Sequence, residues 1–150
     1  MKNRKYIMPA ISKQLLLGII LCGFLFSMLP AEELVPFTDI TPTQAAELIK
    51  AKGADPLFKV IDVRTTEEFA VNRIEGAQNI DVKAIDFEEK IGQLDKDGVY
   101  LVYCRGGVRS ARAMNQMKEW GFKQVYNLGG GLMNWQKEKL PLEGVPIPVY

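Results

Sequence analysis

The sequence contains no histidine and only two cysteines, Cys22 and Cys104. The missing histidine removes Ser-His-Asp and Cys-His catalysis, and every histidine-ligated metal site, for this chain acting alone. Two cysteines are too few for a disulfide framework. Glycine and proline, at 13 and 8 of 150 residues, are too sparse for a low-complexity or collagen-like chain. At 47% hydrophobic residues the composition is not that of a disordered chain, and the length suits one globular domain with no room for a second. An excess of one charge is missing too, with 19 Lys plus Arg against 18 Asp plus Glu. That balance is uneven along the chain. Residues 1–31 carry Lys2, Arg4, Lys5 and Lys13 and no acid, which leaves 15 bases against 18 acids, a net of −3, on residues 32–150. A mildly acidic body gives no electrostatic ground for binding nucleic acid.

The basic start leads into an uncharged run, residues 15–29, followed by Pro30-Ala31-Glu32-Glu33. A basic segment, a short apolar stretch and a small residue before acidic sequence form the layout of a secretory signal peptide, here residues 1–31. As a helix the run reaches about 22 Å, short of the ~30 Å hydrocarbon core. Cleavage after Ala31 would put Leu29 at the third position back, where a small residue is usual, so an uncleaved N-terminal membrane anchor is the alternative. Either way the expectation is export, with the body periplasmic or otherwise extracytoplasmic and any membrane contact made only through this segment.

From residue 37 onward β-rich runs alternate with helical patterns. Thr41-Pro42-Thr43-Gln44 predicts a capped helix start, with Gln44 completing a capping box and the helix stopping near Gly53. Strands are predicted at 57–63, 77–80, 99–103 and 123–128. Helices are predicted at 67–71, 84–94 (on Ile85, Phe87, Ile91 and Leu94), 109–120 and 132–138. Pro141, Pro146 and Pro148 argue against a regular element at the C-terminal end. Such alternation implies an α/β fold with a mainly parallel sheet covered by helices, and ligands in such folds sit at the carboxyl ends of the strands.

The strand 99–103 runs directly into Cys104-Arg105-Gly106-Gly107-Val108-Arg109-Ser110 and then a helix. Successive amides in a tight glycine-containing loop at a helix N-terminus can turn inward and stabilise an anion. A thiol at the mouth of such a loop gains nucleophilicity from the amides, the helix dipole and adjacent arginines. Gly106 and Gly107 permit the inward turn. No general base is required, so the missing histidine does no harm. Cys104 would also be the only thiol left after removal of a leader, and an unused free thiol in an oxidising compartment is a liability.

At this point the chain resembles the rhodanese family of sulfurtransferases. Val60-Ile61-Asp62-Val63-Arg64 with Glu67-Glu68-Phe69 is similar to that family's "vIDvR…eEf" segment, and Arg73-Ile74-Glu75-Gly76-Ala77 to its "hIpGA" segment. Tyr103 through Ala111 matches the "yCrsGxRSa" loop, while Gly121-Phe122 and Leu128 through Trp135 match "Gf…l.GG…W". The four pieces occur in order, and the resemblance covers about residues 36–148. The resemblance implies a single rhodanese-like domain with a five-stranded, mainly parallel sheet flanked by helices, and no cofactor. It implies that Cys104 takes a sulfane sulfur from a donor such as thiosulfate and passes it to a thiophilic acceptor, cyanide or a thiol, a protein thiol included. The amides of Arg105, Gly106, Gly107, Val108 and Arg109 would cradle the persulfide, with the Arg105 and Arg109 guanidiniums attracting an anionic donor or bracing the loop. Asp62 and Arg64 read as scaffold, and Trp135 with glycines 129–131 as packing and turn residues. One departure is Asn72-Arg73, where family members commonly have Gly-His.

Two rival activities follow from the same motif. Cysteine-dependent phosphatases and arsenate reductases share the fold, but their signature is C-x5-R, whereas Cys104 to Arg109 is C-x4-R. The other rival is a persulfide relay or binding module that serves a protein partner without turnover of small molecules.

Overall fold

The computed structural model describes residues 35–144, so the leader read at 1–31 lies outside the described residues. In chain order the elements are β1 (Thr38–Ile40), α1 (Pro42–Lys52), β2 (Phe58–Asp62), α2 (Thr66–Val71), β3 (Asn72–Arg73), β4 (Gln78–Asn79), α3 (Phe87–Gly92), β5 (Val99–Tyr103), α4 (Val108–Glu119), β6 (Gln124–Leu128), α5 (Gly131–Lys137) and β7 (Glu143–Gly144). Five strands form one sheet in the order β1-β6-β5-β2-β4, and every pairing in it is parallel. The expected α/β architecture with a five-stranded sheet flanked by helices is what the chain adopts.

The central strands are those whose sequences are apolar almost throughout, as a strand covered on both faces requires. All five residues of β5 are buried, and Ile61, Leu101, Val102 and Val125 are inaccessible to solvent. Each such side chain contributes about 1.5–3 kcal/mol on leaving water. Ala113, Met114 and Met117 recur at helical spacing along α4 and pack into the same core as Phe87 and Ile91 of α3. At α1, the Thr41 hydroxyl accepts from the Gln44 amide at 3.2 Å and the Gln44 side chain accepts from the Thr41 amide at 2.9 Å, with Pro42 in the first turn. This is the capping box that the sequence predicts.

Several elements differ from their sequence expectations. β1 is only three residues long, too short to show a period of two, and is fixed by its register with β6, Thr38 opposite Tyr126 and Ile40 opposite Leu128. The helix expected over 84–94 is confined to Phe87–Gly92, and Ile85, expected on its apolar face, is fully exposed. The C-terminal end does hold a strand. β7 lies between Pro141 and Pro146 and pairs antiparallel with β3, where Arg73 Nε meets Glu143 Oε2 at 3.0 Å. Two-residue partners so far apart in the chain leave no local signature.

The register sets Asp62 opposite Tyr103 and Val102 opposite Asn127. The segments that follow β2, β5 and β6 therefore emerge side by side at one edge of the sheet. Those segments contain Arg64, the Cys104 loop and the glycines 129–131.

Candidate active site

Cys104 is the first residue beyond β5 and is 2% exposed. Its Sγ accepts a hydrogen bond from the Gly107 amide at 3.1 Å and from the Ser110 hydroxyl at 3.4 Å. Burial pushes the thiol pKa up, but hydrogen bonds from the Ser110 hydroxyl and from the Ser110, Gly106 and Gly107 amides outweigh it. The net effect holds the thiol below its ordinary value, which enlarges the nucleophilic thiolate fraction at neutral pH. Among the residues Arg105 to Arg109, the Gly107 amide meets the sulfur at 3.1 Å and the Gly106 amide joins it in lowering the pKa. The third such amide comes from Ser110, one turn into α4, a residue present in the loop motif to which the sequence reading gave no role.

The loop holds its inward turn because its carbonyls are occupied elsewhere. Cys104 O accepts from the Leu132 amide at 2.9 Å and Arg105 O from the Met133 amide at 3.0 Å, both in the first turn of α5. Gly107 O accepts from the Ser110 hydroxyl at 3.1 Å and from Asn127 Nδ2 at 3.3 Å. Of glycines 129–131, expected as turn and packing residues, Gly131 is the one that lets the start of α5 approach this closely.

The two loop glycines are not equivalent. Gly107 has φ +89°, and a Cβ there would lie 3.0 Å from the Gly130 nitrogen. Gly106 has no positive φ and nothing within 4 Å of a Cβ, so the inward turn does not require glycine there. Gly107→Ala is accordingly expected to cost about 1–2 kcal/mol, with Gly106→Ser inside about 0.5 kcal/mol of wild type in denaturant melts.

Arg109 is tied rather than free. Its guanidinium donates to both carboxylate oxygens of Glu68, at 2.7 and 2.8 Å. Glu68 is the third residue of α2, where its carboxylate accepts from the Thr65 amide as Thr65 Oγ1 accepts from the Glu68 amide. One carboxylate thus caps α2 and braces the cysteine loop. The Arg109 hydrogen bonds, against an opposing push from burial, lower the Glu68 pKa from 4.5 to about 2. A depressed carboxylate pKa contributes stability that is complete above 4.5 and is lost as pH falls through about 2. The contribution is about 1 kcal/mol for a pair at the solvent's edge. Acid titration of unfolding should therefore show a shallower decline below pH 4.5 in Glu68→Gln than in wild type.

Asp62 and Arg64 form a buried scaffold. Arg64 Nη2 lies 2.6 Å from Asp62 Oδ2, its Nε bonds both carboxylate oxygens, and its guanidinium also donates to the Asn72 side chain and carbonyl. This gives Asn72 a defined part, since it completes the Arg64 network. Arg73 turns away, pairing with Glu143 and lying over the Phe69 ring at 5.1 Å. Trp135 is buried, its Nε1 donating to Pro141 O at 2.9 Å.

Beside the loop opens a cleft of about 420 Å³. Arg105, Leu132 and Met133 bound it on the loop and α5 side, and Arg64, Glu68 and Val71 on the other. Arg105 is exposed and makes no ion pair among the described residues.

A family model for the rhodanese-like domain matches residues 41–138. The Bacillus subtilis (strain 168) protein YtwF is 38% identical over 103 residues, 69% of this chain and 97% of its own length. Thiosulfate sulfurtransferase GlpE of Glaesserella parasuis is 31% identical over 107 residues, covering 71% of this chain and 94% of GlpE. A tRNA uridine(34) hydroxylase of Cytophaga hutchinsonii is 37% identical over 99 residues, but the match spans only 31% of that protein. Among solved structures, a rhodanese-related protein from Thermoplasma volcanium superposes with a TM-score of 0.61 at 30% identity, over 71% of this chain and 97% of that one.

Proposed function

This chain belongs to the rhodanese-like domain family, and from that premise we propose that it is a sulfurtransferase moving a sulfane sulfur from a thiosulfate-type donor to a thiophilic acceptor through a persulfide on Cys104. The observation that carries this reading is the Cys104 sulfur seated under the Gly107 amide and the Ser110 hydroxyl at the end of β5. In the first half-reaction the Cys104 thiolate attacks the outer sulfur of thiosulfate. A new S–S bond forms as the donor S–S bond breaks, and sulfite leaves with the electron pair. In the second, cyanide or a thiolate attacks the terminal sulfur of the persulfide, and the Cys104 thiolate is released. Neither step needs a general base. The amides that hold the thiolate are available to the negative charge of the persulfide.

The six-residue span from Cys104 to Arg109 supports sulfur rather than phosphate chemistry, by the loop-length pattern of the family. Incubation with thiosulfate and cyanide tests the proposal. Thiocyanate should accumulate over many turnovers, while a chromogenic phosphate ester stays intact. Ester hydrolysis without thiocyanate would overturn it. The leader read at residues 1–31 supports action outside the cytoplasm, and fractionation of cells expressing the full chain tests that separately.

A further inference from the structure

One buried polar side chain beside the Cys104 loop belongs neither to the sulfur's own contacts nor to the Arg64 scaffold. Asn127 is 1% exposed on β6, where its buried neighbours are Val125, Tyr126 and Leu128. A buried amide costs free energy unless it is hydrogen-bonded. The sheet register puts Asn127 opposite Asp39 of β1, and its Nδ2 donates to Asp39 Oδ1 at 2.8 Å and to Gly107 O at 3.3 Å. Both Nδ2 hydrogens are thereby used. Its Oδ1 is buried without a partner among the described residues. Turning the amide over would set that oxygen against two acceptors, so Asp39 fixes which end of Asn127 faces the loop.

Three donors converge on the Gly107 carbonyl: the Ala111 amide at 2.9 Å, the Ser110 hydroxyl at 3.1 Å and Asn127 Nδ2 at 3.3 Å. A carbonyl oxygen has two lone pairs. The Ser110 hydroxyl also lies 3.4 Å from Cys104 Sγ, and it has one proton to donate. Carbonyl and sulfur therefore compete for it. While Cys104 is a thiol, its S–H can donate to the Ser110 oxygen and the hydroxyl proton can stay on Gly107 O. The thiolate only accepts, and it gains the hydroxyl proton only when Gly107 O releases it. With the Ala111 amide and Asn127 on its two lone pairs, the carbonyl releases it and remains fully hydrogen-bonded.

We infer that Asn127 is a positioning residue for Cys104: by occupying the Gly107 carbonyl it commits the single Ser110 hydroxyl proton to the sulfur. It acts on the sulfur only through Ser110. Asp39 holds Asn127 in the donating orientation from the neighbouring strand. The bearing on catalysis rests on the sulfur-transfer reading of Cys104, whereas the effect on the thiol itself does not.

A double-mutant cycle between Asn127 and Ser110 tests this in the full chain. The readout is the pH midpoint of Cys104 alkylation by iodoacetamide, followed by mass spectrometry of the peptide that carries Cys104. Asn127→Ala and Asn127→Thr are compared, because threonine suits a strand and its shorter side chain falls short of Gly107 O. Each should move the midpoint up by about 0.5 pH, an about threefold loss of thiolate at neutral pH. In the Ser110→Ala background no hydroxyl proton is left to commit, and the same changes should move the midpoint by less than about 0.1 pH. Every substitution is neutral, so Arg105 and Arg109 at the loop, Glu68 on α2, Asp62 and Arg64 at the end of β2 and Asp39 on β1 keep their charges. The kcat/KM for thiosulfate should fall about threefold at neutral pH in the Asn127 variants and recover above the midpoint, where the thiol is ionised in all of them. An unmoved midpoint in both single variants would overturn the inference. An equal rise with and without the Ser110 hydroxyl would overturn it too, since that marks a general loosening of the loop. A Ser110-dependent rise in a protein that forms no thiocyanate would uphold the positioning role and remove the sulfur-transfer reading instead.

Discussion

Cys104→Ser is expected to lower thiosulfate-dependent sulfur transfer by about 10,000-fold or more while leaving the fold intact. The loss follows from chemistry, because a hydroxyl is not an acceptor of sulfane sulfur at neutral pH and no second thiol lies among residues 32–150. The preserved fold follows from packing. Serine is slightly smaller than cysteine, and its oxygen can accept from the same Gly107 amide and Ser110 hydroxyl that now hold the sulfur. Stability should stay within about 1 kcal/mol of wild type. Far-UV circular dichroism and a denaturant melt verify the fold, and thiocyanate release reads the activity. A folded serine variant that turns over at the wild-type rate would be incompatible with a persulfide on Cys104.

Gly131→Ala should have a large effect although it lies outside the loop itself. A Cβ at this position would lie 2.3 Å from Cys104 O and 2.6 Å from Arg105 O, with backbone rather than a flexible side chain in the way. Its φ of +58° adds the left-handed penalty for an L residue. Relief requires the start of α5 to retreat from the loop, which breaks the Leu132 and Met133 hydrogen bonds to the loop carbonyls. The expected cost is about 2–4 kcal/mol in denaturant unfolding. Activity per folded molecule should fall too, by about 100-fold, since a displacement of an ångström at a reacting centre has that scale of consequence. An alanine variant with wild-type stability and turnover would show that the close approach of α5 is not what shapes the loop.

Much of this site was legible in the sequence because its parts are local. A strand as apolar as Val99–Tyr103, broken by Cys104 and two glycines before a helical pattern, specifies both the sheet's centre and a functional turn at its carboxyl end. The capped start of α1 was equally local. What sequence reading missed depends on residues brought together across the fold. Glu68 lies 41 positions from the Arg109 it holds, and its Thr65-x-x-Glu68 capping box signals a helix start but not the second use of the carboxylate. Arg64 is joined to Asn72 across eight positions and a whole helix. The need for glycine at 131 comes from two carbonyls on another segment, and the tolerance at 106 from empty space above it. β1, β3 and β7 owe their existence to partners rather than to any periodicity of their own. The Gly-His departure is likewise clarified only in three dimensions, with Asn72 bound to Arg64 and Arg73 to Glu143.

Intact mass of the purified protein, before and after thiosulfate, tests the central claim most directly. The account predicts a gain of one sulfur atom on Cys104, removed by cyanide with release of thiocyanate, and absent in Cys104→Ser. An unchanged mass with a free, alkylatable Cys104 after exposure to thiosulfate would contradict it.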